Sequence, residues 1–361
     1  MDRDPPIDTA TPRAGDTVVQ YLYVHTPEER FTYPTSRSTG GSAGLAMRYL
    51  ECALTQAASL RLRAEPREIV LVTNLRDLKD AEAVTARGVR MLEAMESMGV
   101  RIVFAEYAHR NRLPVESYAS SRYLLDAVNA VIDDSTDPHQ RFWFTDLDCV
   151  WVDPDKVFAA APEPGSVGCV YIGYPPDWNI EGTTPRRLGE YGRELGECPV
   201  PVPWVGGELL CGTARDLEKM VADCDALDDR VGERGGEIPA EEHLLSLAGG
   251  LGLVSFVDRS SVAWRLLTGP RHEAPDHPDP ASLGLWHLPS EKGLAFRRTA
   301  SAVLSGREPQ LRRDFENPVR AMKRFNVSGA GLLRRMRDDG WLAMYRVRRE
   351  LAAHSRKAAL A

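Results

Sequence analysis

The sequence predicts an α/β fold, on three observations. In the first half, short and mostly apolar runs alternate with longer segments whose apolar residues recur every three to four positions. Such alternation demands crossover connections, and hence a sheet that is largely parallel there. The 361 residues are 43% hydrophobic and 27% charged, the balance of a globular chain with a sizeable core. That length fits one large α/β domain with an appendage, or two domains.

The elements follow in order. Residues 17–24 read as an apolar strand, followed over 26–44 by a loop rich in Thr, Ser and Gly. Leu45, Tyr49, Ala53, Leu54, Ala57 and Leu60 then fall at helical spacing. Residues 68–72 form a short buried strand, and Val84, Met91, Leu92, Met95 and Met98 mark the next helix. Residues 101–105 are a third strand. Residues 115–132 are a helix with Leu124, Leu125, Val128, Val131 and Ile132 inward, and 141–145 are a fourth strand. The second half is less regular. Strands are expected at 166–174 and 204–211, separated by a Gly- and charge-rich insertion, 177–196, with no readable pattern. Leu217, Met220, Val221, Cys224 and Leu227 mark an amphipathic helix, and a short helix opens after Pro239. Short strands at 253–257 and 262–266 precede a Pro/His-rich loop, 269–280. Ligands of such sheets bind beyond the carboxyl ends of the strands. The segments 25–33, 73–77, 107–114 and 146–149 are therefore the ones to carry a site.

The formal charge of −7 is unevenly spread. Residues 307–361 carry a net +8, which leaves −15 on the rest. An acidic body argues against nucleic acid as a partner. Residues 1–17 contain no apolar segment of the signal-peptide kind, and 243–257, free of Asp, Glu, Lys and Arg, is too short for a membrane span. Cys52, Cys149, Cys169, Cys198, Cys211 and Cys224 are scattered, without a C-x-x-C pair, as expected of buried reduced thiols. A cytoplasmic protein is predicted.

The sharpest local feature is the string FWFTDLDCVWV over 142–152. Asp146 and Asp148 follow a wholly apolar strand and precede a second apolar stretch. In extended chain they point to the same face. Two like charges at a buried strand end repel, and a divalent cation removes that repulsion. The plainer alternative is an acidic turn after a strand.

This string resembles the D-x-D segment of GT-A glycosyltransferases, in which the motif ends a central strand after a nucleotide-binding α/β half. Three later segments fall in that family's order: WVGGELLCG (204–212), AEEHLLS (240–246) and WHLPSEKG (286–293). The pattern is most similar to the retaining branch that includes glycogenin and bacterial lipopolysaccharide galactosyltransferases. There, a histidine of an H-x-x-G-x-x-K segment completes the metal site and the lysine holds the diphosphate. Here the lysine stands five residues after His287 rather than six, and the glycine follows Lys292.

The resemblance implies a Rossmann-like mixed sheet flanked by helices; the charge and spacing of the tail add a basic helical extension at the C-terminal end. Residues 1–16 are read as a flexible N-terminus. The catalytic domain spans 17–300, with a nucleotide-binding half over 17–150 and an acceptor half over 151–300; the extension covers 301–361. The implied activity is transfer of a hexose-type sugar from a nucleoside diphosphate donor, a UDP-sugar by this reading, to a hydroxyl or amine acceptor. The cofactor is Mn²⁺ or Mg²⁺, held by Asp146, Asp148 and His287, with Asp146 also contacting the ribose and Lys292 as the diphosphate cation. A mixed O/N ligand set slightly favours Mn²⁺.

The remaining candidates each carry a structural alternative. Gly206 and Gly207 would let a sugar approach the backbone, or mark a β-bulge. Glu208 points into the same region. Glu241 and Glu242 open a helix, where carboxylates are favoured by the helix dipole in any case; one of them could be the base on the acceptor hydroxyl. His25, Thr26, Tyr33, Asn74 and Arg122 are the nucleotide-contact candidates. No G-x-G-x-x-G follows a strand and 40–44 is not a Walker loop, so dinucleotide or P-loop binding is disfavoured.

Two other activities compete with this one. A haloacid-dehalogenase-like phosphatase would use Asp146 as nucleophile, but its motif opens the domain and its later acidic pair follows a strand, whereas Asp228 and Asp229 end a helix. A carbohydrate- or partner-binding protein could retain the fold without catalysis. In the tail, Trp341, Met344, Tyr345 and Leu351 share one helical face behind Arg334, Arg335 and Arg337. That helix is read as packed on the acidic body or on a second copy of the chain, with a peripheral contact to anionic lipid as the alternative.

Overall fold

The structure is a computed structural model that describes residues 15–25, 42–63, 67–110, 120–180, 182–266, 278–292, 294–325 and 327. Thr26, Tyr33 and the tail helix around Trp341 lie outside the described residues.

The first half follows the predicted alternation: β1 (Asp16–Leu22), α1 (Ser42–Arg61), β2 (Glu68–Thr73), α2 (Ala86–Ser97), β3 (Val100–Phe104), α3 (Tyr123–Ile132) and β4 (Arg141–Thr145). It continues through β5 (Cys149–Trp151), α4 (Pro154–Ala159), β6 (Val167–Ile172), α5 (Pro185–Leu195), β7 (Trp204–Thr213), α6 (Ala214–Glu233) and α7 (Glu241–Gly250). The short strands β8 (Phe256–Asp258), β9 (Ala263–Arg265) and β10 (Leu285–His287) precede α8 (Leu294–Val303), α9 (Glu308–Phe315) and α10 (Pro318–Arg324).

The main sheet is mixed, in the order β3-β2-β1-β4-β7-β6-β8. β3, β2, β1 and β4 run parallel, β7 is antiparallel to β4 and β6, and β8 is parallel to β6. The carboxyl ends of β1 and β4, the start of β7 and the end of β6 therefore lie along one edge. A second sheet, β5-β10-β9, holds the residues that follow the D-x-D string.

α1 is buried on most of its surface, with Leu50, Cys52, Ala53, Leu54 and Ala57 all at 0% exposure. Its polar residues fasten the site. Gln56 Nε2 donates to Thr145 Oγ1 at 2.9 Å and to the Asp146 carbonyl at 2.8 Å, and Ser59 Oγ accepts from Trp151 N–H at 3.0 Å. Both sides of the D-x-D turn are thus pinned to one helix.

Two expectations need amendment. α3 begins at Tyr123, after a turn at 120–122, and 111–119 lie outside the described residues. The insertion 177–196 contains α5, which opens on the Thr184 cap, whose side chain accepts from Arg187 N–H, with Pro185 in the first turn. Its Leu188 and Leu195 are buried. α8 packs on α1. α9 and α10 close on the same body: Phe315 and Phe325 are fully buried, and Arg63 Nη1 donates to the Phe315 carbonyl at 2.6 Å. Asp16 is the first residue of β1, and Arg67, Arg141 and Trp143 bond its carboxylate.

All six cysteines are buried and unpaired. Among the described residues, no helix is long and apolar enough to cross a membrane.

Candidate functional site

Strand register brings the D-x-D turn and His287 together. β10 runs antiparallel to β5 with His287 opposite Cys149, and Leu288 N–H donates to the Asp148 carbonyl at 2.9 Å. His287 Nε2 lies 3.1 Å from Asp148 Oδ2 and 3.3 Å from Asp146 Oδ2. One ligand atom from each of the three side chains can be chosen so that all lie within 4.8 Å of one another. Lys292 Nζ reaches the same Asp148 Oδ2 at 3.1 Å, and sits 5.3 Å from the centre of the Tyr49 ring. Tyr21 Oη donates to Asp146 Oδ1 at 2.6 Å. The expected metal set and the expected diphosphate cation thus meet at one point.

The electrostatics divide the two aspartates. Asp148 is 2% exposed in its side chain. Burial alone would raise its carboxyl, but the Lys292 ammonium and the His287 imidazole override this and hold it well below the ordinary carboxylate range. Asp146, at the rim, is pushed up to about 6 by loss of solvent and by the neighbouring Asp148 charge, against His287 and Tyr21. Burial would lower His287, yet the carboxylates of Asp148, Glu208 and Asp146 raise it to about 9.

The start of β7 faces this cluster. Thr145 on β4 is in register with Leu209 on β7, so Glu208 falls beside Asp146, whose N–H donates to the Glu208 carbonyl at 3.4 Å. The β6–β7 pairing shifts register here, passing from Cys169–Leu210 to Val170–Gly206. The glycine pair therefore does sit at a strand irregularity. The space their missing side chains leave is filled by carboxylates. A Cβ on Gly206 would stand 2.0 Å from Glu208 Oε2, and one on Gly207 3.0 Å from Glu241 Oε1.

Sequence reasoning missed Arg265. It lies on β9 beside His287, with which it is in register. Its Nε pairs with Glu208 Oε1 and its Nη2 with Glu242 Oε1, while Nη1 donates to Tyr174 Oη at 3.1 Å. Glu208 is fully buried, and Arg265 draws its carboxyl down to about 2 against the opposing effect of burial. Glu242 also accepts from Trp204 Nε1 at 2.9 Å and from Gly207 N–H at 3.2 Å. The signal that could have found this cation is Glu208 itself, an acid in an otherwise uncharged strand, which must meet a positive partner once buried.

The three expected catalytic glutamates separate accordingly. Glu208 and Glu242 are committed to Arg265. Glu241 differs: its backbone N–H donates to Ser121 Oγ at 3.4 Å, but its Oε2 is buried and makes no hydrogen bond among the described residues. Burial and the adjacent Glu242 push its carboxyl up to about 8.

Of the nucleotide-contact candidates, His25 and Asn74 lie just beyond β1 and β2, and Arg122 stands just before α3. His25 follows β1, packs edge-on against Tyr23 at 5.0 Å, and is pushed down to about 4 by burial. Asn74 engages both ends of its amide with Val24, accepting from its N–H at 2.7 Å and donating to its carbonyl at 3.0 Å. It latches β1 to β2. Arg122 is 2% exposed and pairs with Asp228 on α6 at 2.9 Å, which ties α3 to α6. This also places Asp228 in a structural ion pair, whereas the group that joins Asp146 and Asp148 is His287; the phosphatase alternative needs the acidic pair instead.

No protein-family profile and no curated protein matches the chain. Solved structures similar to it include mouse xyloside xylosyltransferase 1 in its apo form, at 11% identity and TM-score 0.44, over 75% of this chain and 97% of that one. The galactosyltransferase LgtC in complex with donor and acceptor sugar analogs is similar at 12% identity and TM-score 0.43, over 82% and 95%. The glycosyltransferase GlyE of Streptococcus pneumoniae is similar at 11% identity and TM-score 0.43, over 83% and 64%.

Proposed function

We propose that the chain is a GT-A-type glycosyltransferase that binds a nucleoside diphosphate sugar, specifically a UDP-sugar, and moves the sugar to a hydroxyl or amine acceptor. The observation that carries this is the convergence of Asp146, Asp148, His287 and Lys292 where β1 and β4 end.

The residues present fit a divalent cation. Two carboxylates and an imidazole close within 4.8 Å suit Mn²⁺ or Mg²⁺, and the raised Asp146 carboxyl marks a place where added positive charge is favourable. A cation held there would neutralise the negative charge that develops on the departing diphosphate.

The chain's own groups do the rest. Lys292 offers a second positive charge beside the same Asp148 oxygen, placed for the diphosphate. Tyr21 orients Asp146 by donating to Oδ1, which leaves Oδ2 facing His287. Gln56 and Ser59 hold the turn rigid, so the carboxylates keep their positions through turnover. Glu241 is the catalytic carboxyl that we favour. It has an uncommitted oxygen, and a carboxyl raised to about 8 is tuned to exchange a proton with an acceptor hydroxyl near neutral pH.

A thermal-shift screen of nucleotide sugars, with and without Mn²⁺, tests the proposal. A nucleotide sugar that stabilises the protein only with Mn²⁺ is the expected result, and its identity names the donor. Equal melting temperatures throughout, together with no sugar transfer from any donor tried, would overturn it.

A further inference from the structure

His287 must present Nε2, not Nδ1, to the two aspartates. An imidazole has two tautomers, and the one it adopts is set by the partner of the other nitrogen. Nδ1 of His287 faces Glu208 Oε1 at 3.4 Å, makes no aligned hydrogen bond among the described residues, and is buried.

Glu208 is held where it can serve that nitrogen. Its carbonyl is fixed by Asp146 N–H and the Cys149 thiol, at 3.4 and 3.7 Å, and its carboxylate by Arg265. Its second oxygen, Oε2, has no hydrogen-bond partner among the described residues and occupies the space that Gly206 leaves open. Stability alone is a poor reason for this arrangement. A buried carboxylate costs several kcal/mol to desolvate, and apolar residues of similar volume often do as well as a buried ion pair or better. A carboxylate behind a metal-bound histidine, by contrast, has a defined use: it fixes the tautomer and ring orientation and makes the ligand more basic.

We propose that Arg265 and Glu208 form a positioning relay for His287. Arg265 anchors the Glu208 carboxylate, Glu208 accepts the Nδ1 proton, and the Nε2 lone pair is thereby turned toward Asp146 and Asp148. The relay rests on the reading of those three residues as a metal site. Neither Glu208 nor Arg265 touches the cation or the substrate; both act through the histidine.

The test titrates Mn²⁺ into the full chain, alone and with uridine diphosphate, following free Mn²⁺ by electron paramagnetic resonance. Glu208→Ala is expected to weaken Mn²⁺ about 10- to 100-fold, the range typical of outer partners of metal-bound histidines. Glu208→Gln keeps an oxygen acceptor for Nδ1–H and is expected to retain most of the affinity. Glu208→Ala with undiminished Mn²⁺ affinity overturns the relay, even if its melting temperature falls. Wild-type protein that binds no Mn²⁺, or Asp148→Asn that binds it equally well, overturns the metal site itself.

A measurement on the unsubstituted chain guards against a variant that fails to fold. With ¹⁵N-labelled histidine and diamagnetic Zn²⁺, the His287 signal, assigned by its loss in His287→Gln, should show a slowly exchanging proton on Nδ1. An Nδ1 without a proton, or one that exchanges freely with water, overturns the relay.

Discussion

His287 Nε2 stands 3.1 Å from Asp148 Oδ2 across 139 residues of sequence, and the Leu288–Asp148 backbone hydrogen bond holds the two segments together independently of that contact. The Asp148 carboxylate is also the shared partner of Lys292. Asp148→Asn removes its charge with little change of shape. Mn²⁺-dependent binding of uridine diphosphate, read by calorimetry, should fall by at least about 100-fold, beyond the loss typical of an outer-shell change. Binding within threefold of wild type would show that Asp148 holds neither the cation nor the lysine that meets the diphosphate.

Arg265 neutralises two carboxylates that are nearly or fully buried. Removing one partner of such a pair leaves an uncompensated charge, so Arg265→Met should lower the unfolding free energy by about 3–5 kcal/mol. Urea denaturation measures it. Combining Arg265→Met with Glu208→Gln and Glu242→Gln should recover most of the loss, because no buried charge then remains alone. A single variant as stable as wild type would contradict the pairing.

A Cβ at Gly206 would meet Glu208 Oε2 at 2.0 Å and Ile172 Cδ1 at 2.7 Å. Gly206→Ala should therefore cost about 1–3 kcal/mol, as overpacking does. In the Glu208→Ala background the carboxylate is gone and the cost should shrink. The double-mutant cycle should give a coupling of at least about 0.5 kcal/mol, the level expected of residues in contact. Additive effects would place the two side chains apart.

His109 predicts a pH dependence of stability away from the site. Its Nδ1 lies 2.6 Å from Asp126 and its Nε2 3.0 Å from Asp225. Burial would lower its pKa, but hydrogen bonds to the two carboxylates and their charges raise it to about 9. The protonated ring is favoured in the folded chain. Its contribution is therefore complete below the unfolded value near 6.5 and is lost as pH rises through about 9. The melting-temperature gap between wild type and His109→Gln should close between pH 7 and 10. A constant gap would show that the proton plays no part.

The sequence made the first half readable because its buried parallel strands are short, mostly apolar runs, and the helices beside them carry one clear face. Asp146 and Asp148 stood out because charge is rare between two such runs. His287 and Lys292 could be placed only by resemblance, since what joins them to the aspartates is the pairing of β10 with β5, far apart in sequence. Arg265 carried no local signal at all: its partners lie 57 and 23 residues away, and only the register of β9 and β10 brings it behind His287. Asn74 and Arg122 show the converse. Asn74 follows β2 as expected, and Arg122 stands just before α3 rather than within it, but the partners they found, the Val24 backbone and Asp228, depend on tertiary packing. α5 was missed although Thr184-Pro185 is a good helix start, because the Gly and charged residues within it mask its narrow apolar stripe.

The Glu208–Arg265–Glu242 cluster also constrains how this chain can change over generations. Each member is tolerable only in the presence of its counterpart, so a path that alters one at a time passes through a protein with a naked buried charge. The three positions therefore behave as one heritable unit. Among descendants of this chain they should be kept together or replaced together, whereas exposed ion pairs such as Lys79–Glu96 are free to drift one residue at a time.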